Sequence, residues 1–357
     1  MKLLQIEKLK NNPKTVISNY NLVYSTPKIL CISREKRAKK FLYKMNSTLL
    51  DDEKITKRID SYAIPPAWEN VKIAKLENAH LLATGYDAKK RKQYRYHPKW
   101  SKIKNQTKFY KMAGFAKALP KLRKRVLENI DNASWNKEKV LAIVIRLLEE
   151  SHIRIGNTYY EKRNKTYGLS TLRTRHLTLF KNKFKLEFIG KKGKKHEVTL
   201  RNKKLLRLLN KCEEIPGWEL FQYYDEDGKK QAIDSGMIND YIHETCGEIY
   251  SAKDFRTWSA SLIAFETLKQ NDPEIKSETK NKEILKAVDA AAEALNNTRN
   301  ISRKYYIHPQ IFSSYEDSSI KSYFSKADKL EKKDETELQP NELALLSLIE
   351  NFQPNFN

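Results

Sequence analysis

The 357-residue sequence predicts an α+β protein: a small β-rich N-terminal part, then a larger, mainly α-helical part carrying a β-hairpin. Three observations predict it. Short strand-like runs separated by turns fill residues 1–100, and apolar residues recur at helical spacing from about Ser101. Between Leu177 and Leu200 the period then switches to two. The expected division is 1–100, 101–310 and a polar, partly helical tail, 311–357.

Taken in order, Leu22–Thr26 and Ile29–Ser33 flank Pro27 as a pair of strands, and 71–73, 80–84 and 93–96 continue the strand character. Asp51–Ser61 reads as a short helix that stops before Pro65-Pro66. Phe115, Leu119, Leu122, Val126 and Ile130 share one helical face, with Pro120 expected to start a new helix. Ser134 is expected to cap a helix over Lys137–Ser151 that buries Val140, Ile143, Val144, Leu147 and Leu148. Lys183–Ile189 and His196–Leu200, joined through Gly190-Lys-Lys-Gly193, read as a hairpin with a basic tip. Helices are expected again at 202–211, 237–250, 259–269 and 284–295. Residues 317–338 are polar and charge-mixed, and 343–349 form a short apolar close.

The chain carries 69 Lys and Arg against 44 Asp and Glu, a net of +25. Residues 1–100 hold 22 basic and 9 acidic groups (+13), 101–310 hold 42 and 26 (+16), and 311–357 hold 5 and 9 (−4). An excess spread over the body of the chain points to a polyanionic partner, with a solvated Lys-rich surface as the alternative. The 39% hydrophobic content argues against a disordered basic protein. No apolar run approaches the ~20 residues of a membrane span, and the start does not read as a secretory leader. Cys31, Cys212 and Cys246 are scattered without a CxxC pair, which argues against a disulfide framework or zinc ribbon. An intracellular protein is expected, in cytoplasm or nucleoid if bacterial.

Gly85–His97 interleaves basic and aromatic residues suited to phosphates and base edges, although a solvated strand with a Tyr ladder fits equally. The Gly190–Gly193 tip lacks the Walker spacing and reads as a solvated turn or as a mobile Lys reaching a nucleic-acid site. Arg154 follows a buried helix, and Arg256 lies beside Phe255 and Trp258. A cation in such surroundings requires an anionic partner: Asp254, Glu150 or a substrate phosphate. No HExxH, paired metal-ligand carboxylates or GxSxG element supports metal-assisted or serine hydrolysis.

From about Ser33 onward the chain resembles the type IB DNA topoisomerases of the poxvirus and bacterial branch. The resemblance rests on ordered blocks: Ile64–Val71, Gly85–His97, Arg154-Ile-Gly-Asn157 with Gly168–Leu172, and Phe188-Ile-Gly-Lys191. Lys253–Trp258, Asn297-Thr298 and Arg303–Pro309 complete them. It implies the topoisomerase IB/tyrosine recombinase type of fold. It also implies an enzyme that cuts one strand of duplex DNA with a tyrosine, lets the end swivel and reseals it. The implied nucleophile is Tyr306, which precedes Ile-His-Pro, and not Tyr305. Arg154, Arg256 and Asn297 would stabilise the phosphate and Lys191 would protonate the leaving 5′ oxygen. The implied DNA contacts are Arg91, Gln93, Tyr94, Tyr96, Tyr160, Thr171 and Lys253. Neither metal nor other cofactor is implied, and the partner is duplex DNA gripped by a monomeric clamp without membrane attachment. Two alternatives remain: a site-specific tyrosine recombinase, in which a histidine is typical at the place of Lys253, and a non-catalytic DNA-binding relative. Lys90 and Asn296 replace usual glycines, Arg299 a usual proline and Lys72 a frequent tryptophan, while Asn297 stands where poxvirus enzymes have histidine.

Overall fold

Alternating apolar residues near the N-terminus build a six-stranded antiparallel sheet. Its strands are β1 (Ile32–Arg37), β2 (Lys40–Met45), β3 (Thr48–Leu49), β4 (Glu69–Ile73), β5 (Leu81–Tyr86) and β6 (Lys92–Tyr96), in the order β3-β2-β1-β4-β5-β6. The computed structural model describes Lys8 and residues 12–38, 40–271 and 278–354; the opening residues read above for a leader lie outside these. Ile32, Tyr43, Val71, Ile73 and Leu82 cluster with Ile59 from the helix Glu53–Ser61. Asp52 caps that helix by accepting from the N–H groups of Lys54 (2.8 Å) and Ile55 (3.2 Å). Leu22–Thr26 is not a strand: pairing is confined to a Val23–Ala79 bridge. The buried Ser25 sends its N–H to His80 Nδ1 (2.9 Å), so side chains satisfy this segment and no ladder forms.

The chain divides into two compact units; the first ends at Tyr110 and takes in Gln353, and the second is Lys111–Phe352. The helix Pro98–Tyr110 belongs to the first because Trp100 and Ile103 pack on Ile17 and Leu22.

In the second unit the helix Lys137–Ser151 is buried on almost every side, including Val140, Ile143, Val144, Leu147 and Leu148. Its cap is Asn136, which accepts from Lys139 N–H at 3.0 Å, and not Ser134, whose N–H is held by Asn132 (2.9 Å). The helix Met112–Asp131 runs through Pro120 without a restart. Buried Ala116, Leu119 and Leu122 around the proline offset the ~3 kcal/mol that a mid-helix proline costs. The expected hairpin is present and gains a third strand: β7 (Leu177–Leu179), β8 (Phe184–Ile189) and β9 (Lys195–Leu200). A small pair, β10 (Gln222–Tyr224) and β11 (Lys230–Ala232), follows the helix Lys203–Glu214. Helices Ser235–Cys246, Ala252–Asn271 and Lys280–Ala294 come next, then four shorter ones, Arg299–Tyr305, Pro309–Glu316, Lys321–Lys329 and Pro340–Ile349. Among the described residues no helix is long and apolar enough to cross a membrane.

The acidic C-terminal stretch folds onto this second unit. Glu342, 4% exposed, accepts from Arg123 through both carboxylate oxygens (2.7 and 3.0 Å) and from Trp258 Nε1 (3.1 Å). Burial alone would raise its pKa; Arg123 prevails and holds the carboxyl below the usual range. Glu342→Gln should therefore cost about 3 kcal/mol near neutral pH, a fall of roughly 6–12 °C in Tm. A lowered carboxylate pKa gives stability that is full above the ordinary value of 4.5 and lost as pH falls through the lowered one. Thermal unfolding across pH should show the gap to wild type narrowing on acidification.

Candidate active site

Five sequence-predicted residues, Arg154, Lys191, Arg256, Asn297 and Tyr306, lie on separate elements of the second unit. The buried helix Lys137–Ser151 ends at His152 in the left-handed region (φ 55°), and Arg154 follows. Gly168 allows the next loop to cross close by: a Cβ there would lie 2.4 Å from Arg154 O and 2.5 Å from Gly156 N. Leu169 N–H donates to Arg154 O (2.9 Å) and Ser170 N–H to Ile155 O (2.7 Å). Thr171, expected on DNA, is 4% exposed; its hydroxyl donates to Gly168 O and accepts from Gly168 N–H. Its hydrogen bonds hold the loop.

Arg256 occupies the helix Ala252–Asn271, which begins earlier than the sequence pattern suggested, and is 3% exposed. It donates to the carbonyl of His152 and, at 2.9 Å, to that of Leu295. Neither acid considered from sequence neutralises it, because Asp254 pairs with Lys111 (2.7 Å) and Glu150 with Arg146 (2.8 Å). Arg154 Nη2 donates to Asn297 Oδ1 at 2.7 Å. Arg256 Nε and Asn297 Nδ2 are buried donors with no hydrogen-bond partner among the described residues, a deficit of about 1–3 kcal/mol each that an anion's oxygens would relieve.

Tyr306 closes the helix Arg299–Tyr305 and is half-buried, with the Arg256 guanidinium 5.5 Å from its ring centroid. Tyr305 is 41% exposed. Ser261, on the same helix as Arg256, donates to Tyr306 O (3.3 Å) and accepts from His308 N–H (3.0 Å). That serine fixes the tyrosine's backbone relative to the arginine, and no local sequence signal marks it. Lys191 stands at the exposed β8–β9 tip. Beneath it His196 stacks on Phe188 (4.9 Å, 7°), and a Cβ on Gly190 would lie 2.5 Å from the His196 ring. His152 and His196 were not singled out from sequence.

The electrostatics follow from gathering cations around few anions. Burial, then Arg154, lowers the Arg256 pKa to about 10. Burial, helped by Arg256 at His152 and by Arg154 and Arg256 at His196, lowers both histidines to about 4, so both are neutral near pH 7. Partial desolvation and then Arg154 lower the Lys191 pKa below the usual lysine range. Burial would raise the Tyr306 phenol, but Arg256, Arg154 and the exposed Lys253 together hold it below 10.0.

In the first unit the expected DNA contacts lie on or beside the edge strand β6. Arg91 Nε (2.8 Å) and Gln93 Nε2 (3.0 Å) both donate to Asp87 Oδ2. Arg91 holds that carboxyl down at about 2. Tyr94 and Tyr96, 45% and 42% exposed, stack on each other at 6.1 Å. Strand alternation sends the tyrosines to one face and Gln93 to the other. Tyr160 is 53% exposed beside Tyr159, on the helix Thr158–Asn164 of the second unit.

Residues 91–334 match the eukaryotic DNA topoisomerase I catalytic core, and residues 40–87 match the bacterial DNA topoisomerase IB N-terminal domain. The chain belongs to the type IB DNA topoisomerase family, which makes it an isomerase. Its relatives include DNA topoisomerase 1B of Acanthamoeba polyphaga mimivirus, 32% identical over 299 residues covering 80% of this chain and 88% of the relative. DNA topoisomerase 1B of Vaccinia virus (strain Copenhagen) is 22% identical over 249 residues, 69% of this chain and 76% of that one. DNA topoisomerase 1 of Rabbit fibroma virus (strain Kasza) is 24% identical over 292 residues, 75% and 86% of the respective chains. Arg154, Lys191, Arg256, Asn297 and Tyr306 all fall within the matched core.

An ultraviolet difference titration of wild type against Tyr306→Phe should show this phenol ionising below 10.0, and Arg256→Gln should move the transition upward. An unchanged transition in Arg256→Gln would show that the guanidinium does not govern it.

Proposed function

We propose that the protein relaxes supercoiled duplex DNA by transient cleavage of one strand through a 3′-phosphotyrosyl intermediate. The observation that carries this reading is a phenol with a lowered pKa beside two arginines, one of them buried without a carboxylate, with orphaned donors at Arg256 and Asn297. Such a site is short of one anion with several acceptor oxygens, which describes a phosphodiester.

In the forward step the Tyr306 oxygen attacks phosphorus, its proton leaves to solvent, and the bond to the 5′ oxygen breaks. Arg154 and Arg256 hold the nonbridging oxygens, with Asn297 as a neutral donor. Lys191 gives its proton to the departing 5′ oxygen, made easier by a lowered pKa. After the free end has swivelled, the 5′ hydroxyl returns its proton to Lys191, attacks phosphorus and expels Tyr306. One phosphoester replaces another in each direction, so the energy of the broken bond is retained and neither ATP nor metal enters the balance. Edge strand β6, with Arg91 and Gln93 beside one face and Tyr94 and Tyr96 on the other, suits a groove that admits a β-ribbon. Tyr160 and Lys253 add contacts from the second unit, and Thr171 acts by holding the Arg154 loop. A single copy of the chain carries every group assigned here.

Labelled duplex run on a denaturing gel tests this reading directly. Wild type should leave a covalent 3′ adduct in the presence of EDTA; Tyr306→Phe should leave none, while its DNA affinity changes less than about 10-fold. Adduct formation by Tyr306→Phe would sink the assignment.

Lys191→Ala should cleave about 10²–10⁴-fold more slowly. A duplex with sulfur at the bridging 5′ position should restore most of the rate, because a thiolate with a parent pKa of ~8.5 leaves without a donated proton.

A further inference from the structure

We propose that Asn296 is a positioning residue for Lys191, its side-chain amide pinning the base of the lysine hairpin to the loop that carries Asn297. The inference rests on the reading of Lys191 as proton donor.

The last paired rung of the hairpin is Ile189–Lys195. Beyond it the tip is closed by two backbone bonds, Gly190 N–H to Lys194 O (2.8 Å) and Gly193 N–H to Gly190 O (3.0 Å). Lys191, Lys192 and Gly193 are exposed, so the aim of the ammonium depends on how firmly that rung is held. Both carbonyls of the rung are gripped from outside the sheet. Tyr167 N–H donates to Ile189 O at 2.8 Å, and Asn296 Nδ2 donates to Lys195 O at 2.9 Å. The first grip is a backbone bond that most side chains at 167 would leave in place. The second belongs to one side chain.

Asn296 is anchored in turn. Its N–H donates to Glu293 O (2.9 Å), and Asn297 N–H donates to Ala292 O (2.8 Å), which ties the loop to the helix Lys280–Ala294. Asn297 Oδ1 meets Arg154. The amide therefore links the proton-donor hairpin to the groups proposed to hold the phosphate. Its backbone lies in the left-handed region (φ 48°), where glycine is the least strained residue and asparagine among the better tolerated L-residues. Glycine, usual at this place in the resembling family, would satisfy the backbone and leave Lys195 O without this donor. Proton transfer operates over about 2.6–3.2 Å between heavy atoms, so a loosened rung should slow that step selectively.

Asn296→Gly keeps the backbone conformation and removes only the amide; Asn296→Asp keeps an L-residue of similar shape and also removes the donor. Cleavage is measured on duplexes with oxygen or sulfur at the bridging 5′ position. Both variants should be about 3- to 10-fold slower than wild type on the oxygen substrate, the scale of one net hydrogen bond, and equal to wild type on sulfur. Wild-type rates on oxygen, or equal slowing on both substrates, would overturn the proposal. Lys191→Ala measured in parallel separates the two readings. If sulfur fails to restore Lys191→Ala, the proton-donor assignment itself falls and this inference with it. If sulfur restores it while the Asn296 variants match wild type on oxygen, only the tether is refuted.

Discussion

Burying the Arg256 guanidinium inside the second unit imposes conditions on everything around it. A charge so enclosed must be hydrogen-bonded, and here the acceptors are the carbonyls of His152 and Leu295. Those carbonyls belong to the helix ends just before Arg154 and Asn297. The bonds that keep Arg256 in place therefore also draw together the loops carrying two other site residues. His152 delivers its carbonyl from a left-handed helix end, so even that local conformation serves the same arginine. Among the described residues no carboxylate pairs with the guanidinium.

Burial, reinforced by that charge and by Arg154, sets the protonation of the surroundings. Two nearby imidazoles are kept neutral, and the phenol of Tyr306 ionises more readily than its burial alone would allow. Ser261 joins the helix of Arg256 to the Tyr306 backbone, and Trp258 on that helix reaches Glu342 in the C-terminal helix Pro340–Ile349. Phe352 packs edge-on against His308 at 4.6 Å, two residues from the tyrosine. The stretch that looked like an acidic tail is thus part of the scaffold behind the site. Glu342, Glu335 and Asp328 of this stretch pair with Arg123, Arg146 and Lys269.

Much of this was legible because periodicity and motif order are local properties. The hairpin and the buried helix Lys137–Ser151 were readable from spacing, and the family from its ordered blocks. The misreadings share one cause, tertiary partners that a local pattern does not contain. Ser25 bonds to His80, so no strand forms there, and packing carries a helix through Pro120. Lys90 and Asn296 lie in the left-handed region, with φ of 55° and 48°. Neither residue is glycine, and at Asn296 the side chain finds an acceptor in Lys195 O.

The sequence by itself determined the α+β class, the excess of cations, the family and which residue types were available to the reaction. It did so because side-chain chemistry and short-range spacing are written residue by residue. Only the tertiary structure decided that Asp254 and Glu150 are committed elsewhere, that Arg256 Nε and Asn297 Nδ2 find no partner among the described residues, and that Tyr306 lies against Arg256 while Tyr305 is exposed. Most of those outcomes depend on distances between segments far apart in the chain, as with Lys111 and Asp254 or Arg256 and Tyr306. Desolvation, which sets the strength of each charge, exists only once those segments have met.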